Sequence, residues 1–235
     1  LRRLYIRERD TGKTTPFFHC ALFREMADAA KASDSKVIDE VVDGMYITGD
    51  VKRSNVWPAK ESEAVLTEAQ WDADALKERE DVLKQIHSST AVPEATQECW
   101  EKTLTDVDNG YCQGPFWDES EVTAAVGSNL WVPTPRWPLI QHDKVRAIDA
   151  GNISRVNDLA AITERLELPS TDITITAVRS MLDRLKARNQ GSEKLRAWVI
   201  DEEHAYRGIG IHPSQKRFAV VAMKDPASGK VAFFL

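Results

Sequence analysis

The order of structural signals along the chain predicts an α+β fold. Three observations carry this. Helical periodicity comes first, over residues 61–127. Strand signals cluster after residue 136, with one further helix at 170–189. The two kinds do not alternate as in a βαβ chain. At 235 residues and 42% apolar content the chain is long enough for one large domain or two small ones with a real core.

Residues 21–32 read as a helix, and VKRSNVWPAK (51–60) as a turn-rich connection. Residues 61–86 read as helical, with Leu76, Leu83 and Ile86 near one face. Pro93 suits a helix start, where its missing N–H is not needed. Cys99, Trp100, Leu104 and Val107 supply the apolar stripe of that helix, and Gly110 ends it. Asp118 and Glu121 form a capping-box pair that opens a short helix ending at Gly127. RWPLIQ and KVRAID then read as two strands around a His-Asp turn (136–149), followed by the loop AGNISRVND. Residues 170–189 form a helix with Ser170, Thr171 and Asp172 as cap candidates. Val178, Met181, Leu182 and Leu185 are spaced for one buried face, and cations sit at its C-terminal end. LRAWVID (195–201) is a strand, and RFAVVAMK and KVAFFL form a hairpin through DPASG. Trp100, Trp117, Trp131, Trp137 and Trp198 are expected in the core.

No run of eighteen apolar residues occurs, so no membrane-spanning helix and no membrane partner are expected. The start, LRRLYIRERDTGK, has no apolar signal core. Its lack of an initiator Met, like the apolar VAFFL at the other end, reads as a fragment edge. Three cysteines without a C-x-x-C pair argue against a disulfide framework and for a reduced, intracellular setting. They also lack metal-ligand spacing with the scattered histidines. The net charge of −6 is unevenly spread. Residues 61–121 hold 16 Asp/Glu against 4 Lys/Arg, whereas residues 136–217 hold 14 Lys/Arg against 11 Asp/Glu. The mildly basic stretch is the one that carries the motifs below, in keeping with a phosphate-facing surface, although charge alone also fits an ordinary mixed surface.

The run WVIDEEHAYRGIGIHPSQKRFAVV delivers Asp201 at the end of an apolar strand, with Tyr206 five residues later. Nucleotidyl transfer needs carboxylates fixed on rigid elements to hold two Mg²⁺ ions. VIDEEHAYRGIGIHP resembles the first catalytic motif of the reverse transcriptases of retroelements. RWPLIQHDKVRAIDAGNISRVND resembles the fingers hairpin of the same superfamily. The resemblance implies that Asp201 binds metal, that the Glu202 carbonyl helps hold it, and that Tyr206 is a steric gate against the ribose 2′-hydroxyl. It implies that Lys144 and Arg146 contact the incoming triphosphate, that Asp149 is the family's acid and that Asn157 is its downstream Asn. Mg²⁺, a deoxynucleoside triphosphate and a nucleic-acid primer–template are then the implied cofactor and partners.

Together the motifs divide the chain into a mainly helical region (1–128), a fingers-like hairpin and helix (129–194), and a first strand and hairpin of an antiparallel palm sheet (195–235). The architecture expected is thus right-hand polymerase fingers with the beginning of a palm. Three departures matter. No Asp-Asp pair occurs anywhere, so the other catalytic carboxylates are expected beyond Leu235 and this chain alone is expected to be inactive. Ala147 stands where Pro is usual and Ala150 where a second acid is common. Glu202, Glu203 and His204 add charge where the family has Lys or small residues. Taken singly, Asp201 is compatible with an exposed acid, Tyr206 with a core ring, and Lys144 and Arg146 with a solvated strand. The alternative function is therefore a catalytically dead remnant that at most binds nucleic acid or a protein.

Overall fold

A computed structural model describes residues 20–32, 37–50, 53–90, 93–167, 170–188 and 209–235. The elements are α1 (Cys20–Ala29), α2 (Val37–Asp43), β1 (Gly49–Asp50), β2 (Ala59–Ser62), α3 (Glu68–Ser88), α4 (Pro93–Asp108) and α5 (Glu119–Val126). They continue with β3 (Thr134–Gln141), β4 (Lys144–Asp149), β5 (Ala160–Glu164), α6 (Thr171–Ala187), β6 (Val221–Lys224) and β7 (Val231–Phe234). Five of the six described α-helices precede the main sheet, and the fold is α+β, with a second small sheet β1-β5-β2 and a main sheet β4-β3-β6-β7.

Strands β6 and β7 of the main sheet are covered on both faces. Alternation along β6 and β7 sends Ala222, Val231 and Phe233 to one side, where they meet Trp71, Ala75, Val82 and Ile86 of α3, together with Val122 and Trp131. Met223, Ala232 and Phe234 go to the other side, onto Ala95, Cys99 and Trp100 of α4. A strand buried on both faces reads as an unbroken apolar run, which accounts for VAFF. Trp131 and Phe233 pack edge-on with centroids 5.5 Å apart, as do Trp100 and Phe234 at 5.8 Å, the geometry that ring quadrupoles favour.

Helix starts follow local hydrogen bonding. Residues 61–67 are not helical. β2 pairs antiparallel with β5, and α3 begins only after Thr67, which forms a capping box with Gln70. The buried face of α3 is Trp71, Ala75, Arg79, Val82 and Ile86, and Leu76 lies outside it, 48% exposed. The five buried residues lie within about 80° of arc centred on Ala75, and Leu76 stands about 100° round from that centre. α5 matches its expected start. The Glu121 carboxylate accepts from the Trp117 and Asp118 amides. Gly127 ends the helix in the left-handed region at φ 72°, a conformation that glycine adopts without penalty.

Residues 44–48 are clipped to the segment before β6. Met45 and Ile211 form a parallel bridge, and the Gln215 side-chain oxygen accepts from the Ile47 and Thr48 amides and the Thr48 hydroxyl. Gly44 allows this approach: its φ is +95°, and a Cβ there would lie 2.6 Å from the Ile211 carbonyl carbon. Only glycine combines that dihedral with so close a neighbour. The outer edge of β7 is closed as well. Gln113 exchanges hydrogen bonds of 2.7 and 3.0 Å with Leu235, and Phe116 exchanges two of 2.9 Å with Phe233.

Two further expectations are corrected. α6 spans nearly its expected range with Ser170 as N-cap, but it buries none of its residues. Val178, Met181 and Leu182 are exposed, because no described element packs on them. Trp117, in the turn before α5, is 43% exposed rather than core, while Trp131 is fully buried and Trp137 half-buried. The strand expected at 195–201, with Trp198, lies outside the described residues.

The β6–β7 turn generates a prediction. The Asp225 carboxylate accepts from the Ala227 amide (3.0 Å), the Ser228 amide (3.1 Å) and the Ser228 hydroxyl. Burial acts to raise its pKa, but these hydrogen bonds outweigh it and hold the carboxyl below its ordinary value. A depressed folded-state pKa adds stability above the unfolded value, and that stability is lost as pH falls through the folded one. Asp225→Ala should therefore cost about 1–2 kcal/mol at neutral pH. In urea titrations the gap between variant and parent should narrow below about pH 4.

Candidate functional site

The hairpin β3–β4 carries the two sequence-selected triphosphate-binding residues, Lys144 and Arg146, together with Asp149. Its turn is His142-Asp143, both left-handed at φ 47° and 60°. That is the pattern of a two-residue type I′ turn. Such a turn fixes the register: Gln141 faces Lys144, Leu139 faces Arg146, Trp137 faces Ile148 and Arg136 faces Asp149. Alternation then assigns the two faces. Val145 and Ala147 pack on α4 beside Cys99 and Trp100. Lys144, Arg146 and Ile148 point the other way, beside Leu139 and Gln141.

That second face is open. Lys144 and Arg146 are exposed, Leu139 is 48% exposed and Ile148 42%. Neither cation has an ion-pair partner among the described residues. Other cations are committed to acids: Arg217 to Asp72 and Glu68, Arg79 to Glu119, Arg155 to Asp158 and Lys102 to Glu98. α4 packs on the opposite face of the hairpin, against Val145 and Ala147.

Asp149 and Asn157 are structural in this arrangement. Asp149 grips Arg136 bidentately, with Nε–Oδ1 at 2.6 Å and Nη2–Oδ2 at 2.8 Å, the fork geometry that makes such pairs strong. Arg136 is buried, and its Nη1 donates to the Thr103 hydroxyl of α4 at 3.2 Å. Burial draws the guanidinium pKa down, but the hydrogen bonds and charge of Asp149 overcome this and hold it above its ordinary value. Burial also pushes the neighbouring Cys99 thiol up, which keeps it protonated and inert. Asn157 donates its amide to the Gly151 carbonyl at 3.3 Å. A Cβ on Gly151 would sit 2.8 Å from the Asn157 side-chain oxygen, so glycine at 151 permits the loop to close on itself.

Sequence reasoning passed over Arg136, although Arg136 and Asp149 stand equally far from the His-Asp turn and therefore face each other. It also missed Lys102, whose ammonium donates to the Val145 carbonyl on the open edge of β4. Arg79 went unread too. It stacks 4.2 Å over the Trp131 ring, a cation–π contact. Burial lowers its pKa against the pull of Glu119 and Glu80.

Asp201, Glu202 and Tyr206 lie outside the described residues, as do Glu203 and His204. Lys144 and Arg146 share a strand face. No group of three His, Cys, Asp or Glu side chains among the described residues is arranged to hold a metal. Nor is any described helix long and apolar enough to cross a membrane. No protein-family model, curated protein or solved structure matches this chain.

The buried pair makes a testable unit. Asp149→Ala leaves the Arg136 charge buried and unmatched and should cost about 2–3 kcal/mol, below the fully buried case because Asp149 is partly solvated. Replacing both, as Arg136→Met with Asp149→Leu, should restore most of that loss in thermal and urea melts. Equal loss in the single and double variants would show that the unmatched Arg136 charge is not what makes the single variant unstable.

Proposed function

We propose that residues 129–235 form the fingers and the first palm strand of a reverse-transcriptase-like polymerase. The observation that carries this is the hairpin. Lys144 and Arg146 stand two residues apart on one strand, about 7 Å along it, on an exposed face and with no acid of their own among the described residues. An anion rich in oxygens is the natural complement of such a pair, and the forked guanidinium of Arg146 suits a phosphate in particular. Two further features agree with the reading. The basic hairpin precedes the VIDEEHAYRGIGIHP run in the expected order. The β6–β7 hairpin that follows this run joins β3 in one sheet, through the parallel pairs Thr134 with Val221 and Pro135 with Ala222.

In this reading Lys144 and Arg146 bind the triphosphate of the incoming nucleotide, and Tyr206 packs under its sugar. Asp201 and the Glu202 carbonyl would hold Mg²⁺, which supplies charge neutralisation at the phosphates. The fit of that site rests on the carboxylate of Asp201 and on the sequence around it. A non-catalytic binding remnant is the second reading. Ala147 and Ala150, which replace the family's Pro and acid beside Arg146, favour it.

Fluorescence anisotropy with a labelled primer–template and equilibrium dialysis with Mg²⁺ and a deoxynucleoside triphosphate test the proposal on this chain. Lys144→Ala with Arg146→Ala should weaken triphosphate binding about ten-fold or more, at about 1 kcal/mol per lost contact. Any loss of primer–template affinity should come with a shallower salt dependence. In a chain that continues through a Tyr/Phe-x-Asp-Asp strand, Asp201→Asn should abolish primer extension and Tyr206→Ala should admit ribonucleotides. Extension unaffected by Asp201→Asn would remove the polymerase reading. Binding without extension in the longer chain would leave the remnant.

A further inference from the structure

The second feature that stands exposed among the described residues is α6. At about 100° per residue its side chains sort into sectors. Ile175, Val178, Met181, Leu182 and Leu185 fall within about 120° of arc. Ile175, Val178, Leu182 and Leu185 recur at spacings of three, four and three, the rhythm of a helix that seats against another helix. Val178, Met181 and Leu182 are 43%, 54% and 40% exposed. A continuous apolar strip left in water on a helix marks an interaction face.

Charge narrows the occupant. Lys186 and Arg179 border the strip on one side, and Arg188 and Arg184 border it on the other. Asp172 and Asp183 lie further round. None of these four cations has an ion-pair partner among the described residues. Two copies of α6 pressed together would bring both sets of cations against each other, so self-pairing is disfavoured. A nucleic-acid backbone has no use for four aliphatic side chains at helical spacing. A lipid surface calls for a polar face rich in Lys and Arg, whereas the side of α6 turned away from the strip carries Asp172, Asp183, Thr176, Ser180 and Ile173. An acidic amphipathic helix satisfies both halves of the pattern: aliphatic side chains enter the strip, and carboxylates at the flanks meet the four cations.

We propose that α6 is a docking face for an acidic amphipathic helix of a partner protein. The seam is Ile175, Val178, Leu182 and Leu185, and the clamps are Arg179, Arg184, Lys186 and Arg188. The proposal is independent of the polymerase reading, because it uses neither Lys144 nor Arg146 nor the acidic motif.

The probe is a pair of synthetic helical peptides with leucine at the seam positions, one flanked by glutamate and the other by lysine. The expected result, by anisotropy at low salt, is that the glutamate peptide binds about ten-fold or more tightly than the lysine peptide, with the difference shrinking as salt rises. Leu182→Asp should abolish binding while leaving the melting curve of the chain unchanged, since the residue is exposed. Reversing all four cations to Glu should reverse the peptide preference. Leu182→Cys should be alkylated rapidly in the free chain, as read by mass spectrometry at that site, and slowly once the glutamate peptide is added. Equal affinity for the two peptides, or binding to neither, overturns the proposal. So does slow alkylation in the free chain, which would mean that the chain covers its own strip. Capture on phosphatidylglycerol vesicles that Leu182→Asp eliminates, without any preference between the peptides, would reassign the face to a lipid surface.

Discussion

The arrangement of the candidate site depends on the Arg136–Asp149 pair and its bond to Thr103. A strand pair can slip by one residue, and each slip exchanges its two faces. The bidentate grip between Arg136 and Asp149 exists in only one register, and the Arg136–Thr103 bond ties that register to α4. Val145 and Ala147 are thereby directed inward, so Lys144 and Arg146 must point out. A slipped hairpin would put two cations against Cys99 and Trp100, where burial without an acid is costly. The charge of the outer face is thus enforced by a charge pair on the inner one.

A second constraint is the position of β3 between β4 and the β6–β7 hairpin. It pairs antiparallel with β4 and parallel with β6. The parallel contact is only two residues long, yet it joins segments far apart in the chain. Helices α3 and α4 cover the shared sheet from opposite sides, and each takes alternate residues of β6 and β7. The hairpin extends past this covered part, which leaves Leu139 and Ile148 in solvent beside Lys144 and Arg146.

Much of this was legible in the sequence wherever a local signal settled the matter. The His-Asp turn, the Asp118–Glu121 cap with Gly127, Pro93 at a helix start and DPASG between apolar runs each fix the backbone within a few residues. The start of α3 was misplaced because polar residues before Thr67 fit a helix surface as well as they fit β2, and pairing with the distant β5 decided between them. The face of α6 was misjudged for a related reason: periodicity shows that a strip is apolar, and only tertiary contacts show whether it is covered. At the candidate site, the motif singled out Lys144 and Arg146, which stand on one exposed strand face. The residue that aims them was not legible, because Arg136 acts through Thr103, a long-range partner that no spacing rule names. Asp201, Glu202 and Tyr206 rest on sequence resemblance alone.

The two borders of the main sheet are treated differently. Backbone from Gln113 to Phe116 lies along β7 and occupies its amides and carbonyls. β4 has no such neighbour among the described residues, and the Lys102 ammonium occupies one outward carbonyl, that of Val145. A lysine held over a carbonyl is a steric and electrostatic stop to any strand that tries to add there. It is also a single, solvent-facing bond held by one flexible side chain. Loss of that lysine would free the Val145 carbonyl to accept from a strand of another chain, and the exposed charges of Lys144, Arg146 and Asp149 along β4 would remain to oppose such pairing.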